Sequence, residues 1–206
     1  LEIEAEISGL TKTDSDAEVS GMTKAGNGAE ASGIAKADSD AEAALQGAGN
    51  GSGKASDLTA KVVLSQGKMI VKTFTLTWNA EKQLLMGEAM IEKPALWDAE
   101  HPVLYNVSVA LENGDKAEYN IGFRDFVFDP EQGFVANGKR VKLHGVCEHH
   151  DLGCLGAAFH KKAMARKIAT LKKMGVNAIR TSHNMPAPEL VELCDEMGFM
   201  MMIEPF

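Results

Sequence analysis

The chain has few aromatic residues and none near its start. Phe, Trp and Tyr make up 6% of its 206 residues, and the first to appear is Phe74. It has only three cysteines, Cys147, Cys154 and Cys194. The number is odd and two of the three fall within predicted elements, which argues against a disulfide framework. No apolar run approaches the roughly 20 residues of a membrane-spanning helix, so no membrane partner is expected. No basic segment followed by an apolar one marks a signal peptide, and the compartment stays open. An excess of positive charge is also missing: the net charge of −8 argues against a nucleic-acid partner. The chain does not begin with Met, and Leu1 to Ile7 already alternates like a strand, so the natural N-terminus is expected upstream. Against these shortages stands a hydrophobic content of 45%, ample for a core in one large or two small domains.

The negative charge is concentrated at the start. Residues 1 to 57 hold eleven acids and four lysines, a net of −7, leaving the rest near neutral. This stretch also repeats with a period of twelve. Glu6-Ile7-Ser8-Gly9-Leu10-Thr11-Lys12 recurs as Glu18-Val19-Ser20-Gly21-Met22-Thr23-Lys24 and as Glu30-Ala31-Ser32-Gly33-Ile34-Ala35-Lys36. Asp14-Ser15-Asp16, Gly26-Asn27-Gly28 and Asp38-Ser39-Asp40 lie between the copies and supply turn chemistry. A calcium site is one reading of the Asp-Ser-Asp turns, but each offers two carboxylates and lacks the bidentate glutamate of an EF-hand loop. The preferred reading is an acidic insertion at about 8 to 56, either a weak β-meander or disordered, because its apolar surface is too small to offset ordering.

From Asp57 to Phe123 the pattern becomes short alternating strands. Leu58, Ala60, Val62 and Leu64 share one face, Gln66-Gly67-Lys68 turns the chain, and Ile70 to Trp78 continues. Val103 to Leu111 and Lys116 to Ile121 flank Glu112-Asn113-Gly114-Asp115, whose Asn-Gly is a strong hairpin signal. A small antiparallel β-sandwich follows from this.

The last third reads as strand, helix, strand, helix, strand. Lys142 to Val146 is a short apolar run that stops at Glu148-His149-His150-Asp151. Lys161 to Met174 carries Met164, Ile168, Leu171 and Met174 at helical spacing, and Gly175 provides the stop. Val176 to Arg180 is a second strand, ending at Thr181-Ser182-His183-Asn184. Pro188 opens a second helix and Gly198 closes it. Phe199 to Ile203 is continuously apolar, as expected of a strand buried on both faces, and stops at Glu204. Strands that each deliver polar residues at their carboxyl ends are the pattern of a parallel α/β barrel.

Several separated motifs then resemble one family. Asn177-Ala178-Ile179-Arg180-Thr181-Ser182-His183-Asn184-Met185-Pro186, with Leu193-Cys194-Asp195-Glu196-Met197-Gly198-Phe199, is similar to the signature segment of family-two glycoside hydrolases, most of all the bacterial β-galactosidases. Asn137-Gly138-Lys139, Leu143-His144-Gly145-Val146 and His149-His150-Asp151 match the segment entering their barrel. Pro94-Ala95-Leu96-Trp97 with His101-Pro102-Val103-Leu104-Tyr105 resembles the close of their immunoglobulin-like domain. The resemblance covers about 57 to 206, and the repeat has no named counterpart in it. It implies an immunoglobulin-like β-sandwich over 1–123, followed over 124–206 by the first βαβαβ portion of a (β/α)8 TIM barrel.

The same resemblance implies a retaining glycosidase acting on β-galactosides or related β-glycosides. The family's two catalytic glutamates lie on later barrel strands, so no catalytic residue is assigned and the chain alone is expected to be inactive. Glu204 is placed near the site with no catalytic role, and Ile203 and Pro205 depart from the family's usual Asp-Glu-Ala there. Substrate-binding residues implied are His149 and Asp151 after the first strand, and Arg180, His183 and Asn184 at the end of the second. Arg180 would hold a neighbouring carboxylate ionised. No cofactor is expected in this chain, although the resemblance allows a divalent metal in the complete enzyme. A zinc reading of Cys147, His149, His150 and Cys154 is set aside because the paired Cys-x-x-Cys spacing is missing. The Met200-Met201-Met202 run is expected in the core. His101, His144 and His160 receive no role. The expected partner is an oligosaccharide or β-glycoside, with self-association through an open barrel edge. The alternative is a non-catalytic carbohydrate-binding or scaffolding module built on the sandwich.

Overall fold

The computed structural model describes residues 2–6, 20–24, 34–36, 58–81 and 84–204, with backbone alone before residue 58 and at Leu84. Two compact units emerge: Leu1–Pro94 with Leu104–Phe123, and Ala95–Val103 with Arg124–Phe206. The sequence reading grouped 95–103 with the sandwich, whereas in the structure this stretch clusters with the second unit. Its tether is visible within that unit. Trp97 is buried, its Nε1 donates to the Asp195 carbonyl at 2.8 Å, and its own carbonyl accepts from Asn137 Nδ2 at 3.0 Å.

Among the described residues the first unit is one antiparallel sheet of eight strands. These are β1 (Glu2–Glu6), β2 (Ser20–Lys24), β3 (Ile34–Lys36), β4 (Thr59–Gln66), β5 (Met69–Asn79), β6 (Leu84–Glu88), β7 (Tyr105–Leu111) and β8 (Lys116–Ile121), in the order β3-β2-β1-β6-β5-β4-β7-β8. The terminal strands of that order, β3 and β8, approach each other, so the sheet curls back as a sandwich does. Its core follows period-two patterning: Ala60, Val62 and Leu64 of β4 are buried, as are Leu76, Leu85 and Val107 on the neighbouring strands. Tyr105 meets Phe123 edge-on at 5.0 Å. The Asn-Gly hairpin forms with Gly114 at φ +98 and Asn113 Oδ1 accepting from Asp115 N at 3.0 Å. β2 and β3 are drawn from the second and third repeat copies, joined antiparallel to each other. The repeat's turns, and with them the calcium alternative, lie outside the described residues.

In the second unit β9 (Phe126–Asp129), β10 (Gly133–Ala136) and β11 (Lys139–Arg140) form a small antiparallel sheet the sequence reading did not anticipate. The alternation there is short and turn residues dominate. Asn137 and Gly138, at φ 50 and 71, make the two-residue turn between β10 and β11.

The rest of the unit is parallel. β12 (Gly145–Glu148), β13 (Ala178–Thr181) and β14 (Met200–Met202) stand side by side in that order. Helix α1 (Lys161–Lys173) and helix α2 (Pro188–Met197) provide the crossovers. Met164 and Ile168 of α1 pack with Ile179 of β13, Leu190, Leu193 and Cys194 of α2, and Phe199. Val146 and Met201, cross-strand partners of Ile179, complete that face. The next residues along each strand, Cys147, Arg180 and Met202, share the opposite face and are aligned by register.

Met174, counted in the helical spacing, is 72% exposed because α1 has already ended and Met174 is its C-cap. One expectation needs correction, the core placement of the Met200-Met201-Met202 run. Met202 is 61% exposed, so β14 is covered on its helix face only; strand alternation sends Met202 to the other side. His160, left without a role, caps α1: its Nδ1 accepts from Ala163 N at 3.4 Å.

Candidate active-site face

Parallel strands point their carboxyl ends the same way, so the three polar tips of β12, β13 and β14 fall on one rim. After β12 come His149, His150 and Asp151; after β13, Ser182, His183 and Asn184; after β14, Glu204. The Ser182–His183 peptide is cis.

Glu204 ties the second and third tips together. Arg180 Nε donates to its Oε1 at 2.6 Å, and Arg180 Nη2 pairs with the same oxygen. His183 Nδ1 lies 2.6 Å from its Oε2, and Thr181 Oγ1 accepts from its backbone N at 3.0 Å. The His183 hydrogen bond, with the Arg180 guanidinium behind it, holds the Glu204 carboxyl below the usual carboxylate range despite some desolvation. The sequence reading gave Arg180 a carboxylate to hold but assigned Glu204 no role. What brings them together is register, which the sequence does not show: Arg180 faces Met202 across β13 and β14, two residues before Glu204.

The first tip joins through His149, whose ring meets His183 edge-on with centroids 6.0 Å apart. A cleft of about 260 Å³ opens beside it, lined by His149, His150, Asp151, Phe159, Met185 and Leu190 among others. Arg180, His183 and Glu204 do not line that cleft. Asp151 is exposed, accepts from Gly153 N at 3.4 Å and lines the cleft together with His149. Asn184 is exposed and makes no hydrogen bond among the described residues. Beneath the rim, Glu148 is only 4% exposed and pairs with Lys167 of α1 at 2.6 Å. Among the described residues no group of three or more His, Cys, Asp or Glu is placed to hold a metal ion.

The Glu204 contacts carry a pH dependence. A carboxyl whose folded pKa is depressed contributes stability above its ordinary value of 4.5, and this is lost as the pH falls through the lower folded value. Wild type is therefore expected to lose more stability than Glu204→Gln on acidification below pH 4.5, read from urea midpoints at matched pH values. Parallel curves for the two proteins would count against it.

The description of glycosyl hydrolases family 2 matches residues 10–124, and that of the family's TIM barrel domain matches residues 130–205. The chain belongs to glycoside hydrolase family 2. Its architecture is accordingly an immunoglobulin-like β-sandwich followed by the opening βαβαβ of a TIM barrel. The first match takes in most of the acidic repeat, for which the sequence reading named no counterpart. A β-galactosidase of Bacteroides ovatus is 48% identical over 133 residues, 62% of this chain and 16% of that protein. A putative β-glucuronidase of Formosa agariphila is 34% identical over 160 residues, 76% of this chain and 15% of that protein. A crystal structure of a β-glycosidase from Bacteroides vulgatus aligns with TM-score 0.67 at 35% identity, covering 74% of this chain and 20% of that one. The family-two chain thus spans about a sixth of the length of the Bacteroides ovatus and Formosa agariphila proteins.

Proposed function

We propose that this chain supplies part of the sugar subsite of a retaining β-glycoside hydrolase, with a β-galactoside or related neutral β-glycoside as substrate. One observation carries it: Arg180, His183 and Glu204 interlock on the same rim that presents His149. The exposed His183 edge, held by Glu204, offers a donor or acceptor of fixed direction to a sugar hydroxyl. His149, Asp151 and Asn184 extend that polar surface, and Arg180 sets it from beneath through Glu204.

Charge accounting favours a neutral sugar over a glucuronide. A sugar carboxylate calls for an unengaged cation, ideally a bidentate arginine. Of the cations at these strand ends, Arg180 already holds Glu204 and Lys167 already holds Glu148.

Retention needs two carboxyl groups about 5 Å apart, one of them with a raised pKa so that it can act as acid. Glu148 is buried against Lys167, and Glu204 is pulled in the opposite direction. The 206-residue chain is therefore expected to be inactive; turnover of a chromogenic β-galactoside by contaminant-free protein would overturn this.

Binding tests the subsite itself. His183→Ala is expected to weaken binding of methyl β-galactoside about tenfold, near 1.4 kcal/mol, by calorimetry or ligand-observed NMR. Binding that His183→Ala leaves unchanged would shift the carbohydrate surface to the sandwich and favour a non-catalytic module.

A further inference from the structure

The cleft beside His149 is walled by the end of β12, the loop that follows it, α1 and the segment entering α2; β14 contributes no wall. The loop is held by its own backbone. Leu152 N donates to the Gly156 carbonyl at 2.9 Å, and Ala158 N donates to the Leu155 carbonyl at 3.3 Å. The other side is fixed as well: Pro186 is buried, and Leu190 N donates to the Ala187 carbonyl at 2.9 Å. The cleft is therefore formed before any ligand arrives. Its lining is mainly apolar, with Ala158, Phe159, Met164, Met185 and Leu190 among the residues that contribute. Met185 keeps 58% of its surface exposed there. An apolar cavity of about 150 Å³ holds a benzene molecule. At about 260 Å³ this cleft has room for an aromatic ring carrying a substituent.

The geometry points to this cleft as the site for an uncharged aromatic aglycone, the group joined to the sugar through the glycosidic oxygen. The inference rests on the sugar reading above, which lays the sugar across His149 and His183. His149 belongs to both surfaces: it lines the cleft, and its ring meets that of His183 with centroids 6.0 Å apart. A glycoside lying across the two histidines thus passes from a polar rim to an apolar lining. Phe159 offers a ring to stack against or meet edge-on, and Met164 and Met185 offer thioethers. A negatively charged aglycone is disfavoured. Asp151 is an exposed carboxylate at the cleft, and Lys167, which pairs with the lining residue Glu148, is already engaged.

The test compares methyl and phenyl β-galactoside binding to the full chain, by calorimetry or ligand-observed NMR. The phenyl glycoside is expected to bind about tenfold more tightly, because its ring leaves water for the cleft. Ala158→Trp fills the cleft from an exposed position and should remove that advantage while leaving the methyl glycoside's affinity unchanged. Met185→Ser, also at an exposed position, adds no bulk and should reduce the advantage about threefold, so the outcome does not hang on one variant's folding. Equal affinity of the two glycosides for the wild-type chain would overturn the inference and leave the sugar reading in place. So would a phenyl advantage that neither substitution reduces. If neither glycoside binds, or if His183→Ala leaves methyl β-galactoside binding unchanged, the sugar reading fails and this inference falls with it.

Discussion

Gly198→Ala is expected to lower the stability of the second unit by about 3 kcal/mol, whereas Gly175→Ala should cost about 1 kcal/mol. Both glycines follow a helix and both have positive φ, +74 at Gly198 and +84 at Gly175. An L-residue in that conformation costs about 1 kcal/mol at either position. Their surroundings separate them. A Cβ at 175 would meet nothing within 4 Å. At 198 it would lie 2.9 Å from the carbonyl carbon of Ala99 and closer still to the oxygen, in a backbone that cannot swing aside as a side chain would. Relieving this overlap means shifting the 95–103 stretch, which Trp97 pins to Asp195 and Lys172 holds through the Ala99 carbonyl at 3.1 Å. Urea melts of the two variants at one pH give the comparison; equal losses would mean that conformation alone matters.

The second large effect is expected at Lys167. Lys167→Met should cost about 2–3 kcal/mol, because it strands Glu148 as an unpaired charge inside the unit. Lys167 Nζ also donates to the Asp151 carbonyl at 3.3 Å, so the strand end loosens at the same time. The discriminating comparison lies on the same helix. Lys161 pairs with Glu192 at the same 2.6 Å, but both side chains are nearly half exposed. Lys161→Met should therefore change stability by less than about 1 kcal/mol. Adding Glu148→Gln to Lys167→Met should recover much of the loss, since it removes the stranded charge. Lys167→Met and Lys161→Met variants of equal stability would show that burial of Glu148 has no energetic weight.

Both comparisons show where sequence reasoning reaches its limit. Gly175 and Gly198 each read correctly as helix stops, because left-handed backbone after a helix is a local demand. The Ala99 carbonyl that makes one of them intolerant lies far back along the chain. Nothing in the sequence separates the lysines of α1 from one another, and Lys161 is indeed solvated. Lys167 differs only because β12 ends beneath it. Glu204 was visible at the end of an apolar strand, but its hold on Arg180 and His183 depends on the pairing of β13 with β14. The antiparallel β9 to β11 sheet escaped notice because its strands are too short for alternation to stand out from turn residues.

By itself the sequence determined the βαβαβ order, the alternating strands before it, the helix boundaries to within a residue or so, and the family. These depend on periodicity, stop residues and motif order, all written over a few neighbouring positions. Tertiary structure alone decided which polar residues meet: Glu204 with Arg180 and His183, Cys147 with Arg180, Glu148 with Lys167. The reason is strand register for the first two, across gaps of 21 to 33 residues, and the packing of α1 beside β12 for the third, across 19. No local pattern along the chain encodes those partners.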